Sequence, residues 1–204
     1  MSQTQYAIMR FAKYKGPEIS NIEAHNERTK EKYASNPDID CSRSKYNFHL
    51  IEPAGRYRAE AESQIQAAGC RTRKDSVRVV EVMFTATPDF FKDKKLPEVR
   101  RYFEEALRFF EQYQSRETII SAVVHMDEKT PHMHLSFIPL TPDGRLSAKE
   151  IVGNKKKLTW CEPPHIVRTV QKRGLQGVEQ SNQRLAWRSE SGARPVFVWR
   201  RSWL

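Results

Sequence analysis

Ten residues, His125-Met-Asp-Glu-Lys-Thr-Pro-His-Met-His134, hold three of the chain's six histidines, with two acids between the first and the second. Thr118–Val124 before this stretch and Leu135–Pro139 after it are rich in β-branched and aromatic residues, so the sequence predicts two strands joined by a short polar loop. Side chains alternate along a strand. His132 and His134 therefore project from one face, and Met133, Leu135 and Phe137 from the other. His125 closes the partner strand and can sit opposite them. A lone His-x-His on a strand is weak evidence for a ligand site, because one satisfied polar group is all that structure requires there. Three imidazoles on the two arms of one hairpin suit a divalent cation, and three protein ligands leave positions for water or substrate.

Those arms need a sheet and a backing. Tyr6–Ala12 reads as a first strand, broken by Gly16-Pro17. Ser20 and Glu23 have capping-box spacing, which predicts a helix from Ser20 to about Tyr33 with His25 and Arg28 sharing a face. By itself such a pair is ordinarily solvated. Tyr46–Ile51 reads as the next strand, and Arg56–Ala68 as a helix stopped by Gly69. Val77–Ala86 is the longest β-branched stretch and the candidate central strand. From Leu96-Pro97 the pattern turns helical, with Val99, Phe103, Leu107, Phe110 and Tyr113 drawing an apolar stripe at spacings of four and three. That stripe should cover the face carrying Leu135 and Phe137 and leave the histidine face open. Thr141-Pro-Asp-Gly144 is a turn, and Leu146–Gly153 a short helix. The order β-α-β-α-β-α-β-β ends in a tight hairpin, so the fold class is α+β: an antiparallel sheet with flanking helices and the metal site on the last hairpin.

Composition narrows the partners. The net charge of +10 favours polyanions, nucleic acid first, and Arg71-Thr-Arg73-Lys74 is a compact basic cluster suited to a phosphate backbone. No run approaches the roughly 20 apolar residues of a membrane span, and the N-terminus lacks signal-peptide features, so a cytoplasmic protein is expected. Cys41, Cys70 and Cys161 have no paired metal spacing and read as reduced thiols. The organisation predicted is a catalytic domain over 1–160 and a basic tail over 161–204. The tail carries eight basic and three acidic residues, half the net charge, and shows no clear periodicity. It reads as a nucleic-acid-binding arm, or as poorly folded or out-of-frame sequence.

His25-x-x-Arg28, Asn47-Phe-His-Leu50, Arg71-Thr-Arg-Lys-Asp75 and His125-x-Asp-Glu-x-Thr-Pro-His-x-His134, in this order across residues 1–160, resemble the MobV (Mob/Pre) relaxases of mobilisable plasmids, within the HUH group of nucleases. The resemblance implies a divalent metal, Mn2+ or Mg2+, on His125, His132 and His134. It implies His25 as nucleophile, Arg28 as its orienting or phosphate-holding neighbour, and Glu128 as an acid assisting proton removal. Arg71, Arg73 and Lys74 match a segment expected to touch DNA; Tyr46 is placed with these contacts, and Tyr33 and Tyr46 are the alternative nucleophiles. The function implied is nicking of one strand at a plasmid origin of transfer, single-stranded or supercoiled, through a covalent 5′-phosphoryl adduct. The alternatives are a replication initiator of the same group, which usually uses a tyrosine after the histidines, and a DNA-binding regulator that does not cut. Tyrosines are absent after Tyr113, and three histidines on a hairpin have no use in a regulator. The family's long helical, often coiled-coil, region has no counterpart here: no heptad follows Lys157, so a shortened relaxase without homodimerisation is expected.

Overall fold

A computed structural model describes residues 7–30, 36–153 and the backbone of 196–198. Six strands form one sheet in the order β2-β4-β5-β3-β1-β6: β1 Ala7–Tyr14, β2 Phe48–Ile51, β3 Val79–Ala86, β4 Ile119–His125, β5 His132–Phe137 and β6 Val196–Val198. Every pairing is antiparallel. The α+β antiparallel architecture is therefore as the sequence predicts, and β3 and β5 form its centre. The helices are α1 Glu18–Asn26, α2 Tyr57–Ala67, α3 Pro88–Phe91, α4 Leu96–Phe110 and α5 Ala148–Val152. Short 3-10 turns cover Cys41–Tyr46 and Arg116–Thr118.

On one face Val82 and Phe84 of β3, Val124 of β4 and Met133, Leu135 and Phe137 of β5 meet Val99, Phe103, Ala106, Leu107 and Phe110 of α4. Each fully buried side chain of this size contributes roughly 1.5–3 kcal/mol, so the stripe on α4 fixes which way the sheet faces. Glu98 caps the entry to α4 by accepting from the Lys95 N–H at 3.0 Å. Tyr113 is a correction: it lies beyond the helix end and is 53% exposed, and Tyr102 and Phe109 widen the stripe instead.

The second face is not left open, contrary to the sequence expectation. Val79, Ile120 and Ile138 on that face would expose apolar surface, and they are covered by Ile19 and Ile22 of α1 and by Tyr57, Ala61 and Ile65 of α2. Helix α2 ends in a Schellman motif, with Gly69 at φ 65° and the Cys70 N–H donating to Ile65 O at 3.1 Å.

Helix α1 departs further from expectation. It starts at Glu18, whose carboxylate accepts from the Lys15 N–H at 2.9 Å, so Ser20 lies inside the helix rather than capping it. It ends at Asn26. Arg28 sits two residues beyond, at φ 51°, and closes a Schellman turn in which the Thr29 N–H donates to Ala24 O at 3.2 Å. Tyr33 lies outside the described residues, as do Cys161 and the tail apart from β6.

Candidate metal centre

His125 and His132 are register partners across β4 and β5, and His134 opposes Val123 on the same face. The three rings lie 4.8–5.3 Å apart between centroids. The end of α1 adds a fourth imidazole: the His25 ring is 5.6 Å from that of His125 and 5.2 Å from that of His134. Two sets of three donors have their ligand atoms within 4.8 Å of one another, His25/His125/His134 and His125/Glu128/His132. The hairpin strands place three of these histidines because a two-residue period puts every second side chain on one face. The fourth comes from 100 residues away through the docking of α1.

The protonation pattern follows from the partners. His125 Nε2 lies 2.8 Å from Asn26 O, and a carbonyl only accepts, so Nε2 carries the hydrogen. In the same way His132 Nδ1 donates to Thr130 O at 2.9 Å. His125 Nδ1 and His132 Nε2 are left with lone pairs, 3.7 and 3.5 Å from Glu128 Oε1. His134 Nδ1 lies 3.3 Å from Glu81 Oε2, an ion-pair distance without hydrogen-bond alignment. His125 Nδ1 and both nitrogens of His134 are buried with no hydrogen-bond partner. Buried polar atoms without partners are costly. A divalent cation would satisfy His125 Nδ1 and the His134 nitrogen that keeps its lone pair, so the residues present fit such an ion.

Electrostatics favour the neutral form of His25, His125 and His134. Burial, then the positive charge of Arg28 and the neighbouring His125, lowers His25 to about 4. His125 is likewise lowered to about 4, by burial first. Burial also lowers His134, against the pull of Glu81. The acids go the other way. Burial would raise Glu81, but His134 and Asn26 outweigh it and hold its carboxyl at about 2. Glu128 is held well below the usual carboxylate range against the effect of burial, by His125, His132 and Asn36. It accepts from Arg28 Nη2 at 2.6 Å and from Asn36 Nδ2 at 2.9 Å.

Comparison with known proteins identifies this arrangement. The chain matches the family described as plasmid recombination enzyme, Mob_Pre, over residues 3–186. The chain belongs to this family. A plasmid recombination enzyme type 1 of Staphylococcus aureus is 38% identical over 159 residues, which is 76% of this chain and 39% of that protein. A plasmid recombination enzyme of Lactiplantibacillus plantarum is 41% identical over 156 residues, covering 74% and 42%. The chain thus spans about two fifths of the length of these relatives. Among solved structures, the MobM relaxase domain (MOBV; Mob_Pre) bound to plasmid oriT DNA, a Mn-bound crystal structure, superposes with a TM-score of 0.76 at 27% identity, covering 91% of this chain and 95% of that one.

In this Mob_Pre chain the structure brings His25, Arg28, His125, Glu128, His132 and His134 to one place. Tyr46, on the 3-10 turn before β2, is 51% exposed, with Lys45 Nζ 5.2 Å above its ring. It stands near the His125 end of the sheet, since Phe48 opposes Val124. Arg71, Arg73 and Lys74 are exposed in the connection before β3. They precede β3, whose first residue, Val79, lies four residues from Met83, the register partner of His134, about 13 Å at 3.3 Å per residue. Among the described residues, no helix is long and apolar enough to cross a membrane.

Sequence reasoning missed several members of the site. Glu81 carried a signal, since a lone acid inside Val79-Val80-Glu81-Val82 has no place in a buried strand unless paired. Asp127 accepts from Arg28, from Ser44 Oγ at 2.6 Å and from Asn47 Nδ2 at 2.8 Å, and Asn47 Oδ1 accepts from the Met126 N–H at 2.7 Å. Asn26 and Asn36 carried no signal, because their roles arise only when distant segments meet.

Proposed function

We propose that this chain is the catalytic part of a plasmid mobilisation relaxase, which nicks one strand of origin DNA and holds its 5′ end covalently. The observation that carries this reading is the approach of a neutral His25 to His125 and His134, which bury ring nitrogens with no hydrogen-bond partner. The MobM relaxase domain, Mn-bound and bound to oriT DNA, supports both the metal and the substrate class.

In this reading His125, His132 and His134 hold a divalent ion, Mn2+ or Mg2+. When bound, the ion draws charge from a non-bridging oxygen of the scissile phosphate and makes phosphorus electrophilic. His25 attacks through the nitrogen that keeps its lone pair. An N–P bond forms and the P–O3′ bond breaks, its electron pair leaving with O3′; the imidazole sheds its remaining N–H proton and O3′ takes one up, so the two proton changes cancel. The resulting phosphoramidate retains the energy to rejoin strands by the reverse attack of a 3′ hydroxyl. Burial and Arg28 keep His25 in the nucleophilic, uncharged form. Glu128 stays a carboxylate beside Arg28 and the hairpin histidines, where it can assist proton removal and offset the charge of Arg28. Arg71, Arg73, Lys74 and Tyr46 are exposed, and in this reading they contact the flanking DNA. The proposed substrate is single-stranded or supercoiled origin DNA in the cytoplasm, taken by one copy of the chain.

The test is incubation with Mn2+ and an origin oligonucleotide, followed by denaturing electrophoresis and mass spectrometry of the adduct. A covalent complex mapped to His25, absent with EDTA and absent in His25→Ala while DNA binding persists, is expected. An adduct on Tyr33 or Tyr46 would remove His25 from the role, and binding without cutting would favour the regulator.

A further inference from the structure

Glu81 is buried in the middle of β3, on the histidine face, where a carboxylate is costly unless it is held. Its Oε2 accepts from Asn26 Nδ2 at 2.9 Å and lies 3.3 Å from His134 Nδ1. Its Oε1 faces the Tyr14 hydroxyl at 3.5 Å. A carboxylate beside Nδ1 favours the tautomer with hydrogen there, which leaves the lone pair on Nε2, a buried atom with no hydrogen-bond partner. Asn26 acts on a second ligand through its main chain, since its carbonyl takes the His125 Nε2 hydrogen at 2.8 Å. It also follows His25 directly in α1.

We propose that Glu81 and Asn26 are a positioning pair, which orients His134 as a metal ligand and ties the geometry of two ligands to the helix end that presents His25. This rests on the metal-site reading above. Neither residue touches the substrate; both act through histidines. One residue, Asn26, sets His125 by its backbone and His134 by way of Glu81, so the docking of α1 completes the ligand set at the same moment as it delivers the attacking imidazole. A purely structural pair would hold α1 on the sheet without affecting the ion.

Titration of the full chain with Mn2+ alone, by calorimetry or by the loss of free-ion EPR signal, separates the two. Glu81→Ala is expected to weaken Mn2+ binding roughly 10–100-fold, the range found for outer-shell partners of ligating histidines. Glu81→Gln, which keeps the shape and leaves an oxygen acceptor beside Nδ1, should recover most of that loss. Asn26→Ala should weaken binding less, and should add little to Glu81→Ala because both act through His134. The 15N shifts of the metal-free His134 ring provide a readout that mere stability would not move: one tautomer protonated at Nδ1 in the unsubstituted chain, a mixture in Glu81→Ala. If Glu81→Ala does not fold, Glu81→Asp carries the test, since shortening the side chain withdraws the carboxylate from Nδ1. Binding within twofold of the unsubstituted chain in a folded Ala or Asp variant overturns the proposal. No Mn2+ binding by the unsubstituted chain would instead overturn the metal-site reading, and this inference with it.

Discussion

Arg28 and Asp127, 99 residues apart in the chain, are joined by two parallel hydrogen bonds, Nε to Oδ2 at 2.9 Å and Nη2 to Oδ1 at 2.8 Å. Arg28 reaches this pair from a left-handed backbone, at φ 51°, in a position where helices usually place glycine. An L-residue there costs roughly 1–2 kcal/mol. The fork geometry offsets that cost, because a planar guanidinium matches a carboxylate edge to edge. The same side chain donates from Nη1 to the carbonyl of His25 at 2.9 Å, so the pair locks the turn that follows the candidate nucleophile. Glu27 adds a neighbouring lock: it accepts from the Tyr57 hydroxyl at 2.6 Å and pairs with His49 Nε2 at 3.0 Å.

Removing one half of this pair should therefore cost more than the pair is worth. Asp127→Ala leaves Arg28 with one fewer counter-charge and frees Ser44 and Asn47, and the expected loss is about 3–5 kcal/mol of folding stability. Arg28→Lys should not restore it, since an ammonium cannot make both bonds. Urea unfolding of the metal-free chain checks both, and a loss below about 1 kcal/mol in Asp127→Ala would contradict the account.

The opposite face predicts a loss of stability of a different kind. Leu135 is fully buried against the α4 stripe and its side chain points away from the histidines. Leu135→Ala should cost about 2–5 kcal/mol through lost burial and the cavity left behind. Metal affinity of the protein that remains folded should stay near that of the unsubstituted chain. A calorimetric titration below the lowered melting temperature tests this separation of core from site.

These contrasts explain what was legible in the sequence. The order of elements along the chain, the α4 stripe from Val99 to Phe110 and the shared face of His132 and His134 follow from periods of two and 3.6, which single segments carry in themselves. The covering of the histidine face was not legible as a whole, because Val79 of β3, Ile120 of β4 and Ile138 just after β5 form a patch only once the sheet is assembled. Arg28 was assigned to a helix that ends before it, since nothing in the local sequence announces a left-handed arginine; the turn is stabilised by Asp127 and Glu128 from the far hairpin. Asn47 appeared in a recognisable motif, yet its contact with Asp127 exists only in three dimensions.

The depressed histidines give the metal-free protein an acid liability. In the folded chain His25 titrates at about 4, against roughly 6.5 when unfolded. Between these values the unfolded state binds more protons, so stability rises with pH across this window. The penalty is absent above the unfolded value and complete below the folded one. His125 acts with the same sign. His49, raised by its hydrogen bond to Glu27, acts oppositely, adding stability at low pH that is lost as pH rises through its folded value. Two buried histidines outweigh one half-buried, so the metal-free melting temperature should fall from pH 7 to pH 5. His25→Gln should flatten that fall; an unchanged slope in the variant would show that His25 is not the group responsible.

The basic connection before β3 should report on DNA rather than on metal. Arg71, Arg73 and Lys74 are exposed and supply no metal-ligand atom, so replacing them with alanine should leave folding and Mn2+ affinity nearly unchanged. If each contacts one phosphate of a single strand, each releases about 0.7 of a counterion on binding, and the triple variant should reduce the slope of log K against log salt by about 2. The loss of affinity should then be greatest at 50 mM salt and shrink toward 200 mM, and it should be similar for origin and unrelated oligonucleotides, because phosphate contacts carry no base information. Fluorescence anisotropy across that salt range measures both quantities. A triple variant with an unaltered salt slope would place the DNA path elsewhere on the surface, and a loss confined to the origin sequence would mean that these side chains read bases.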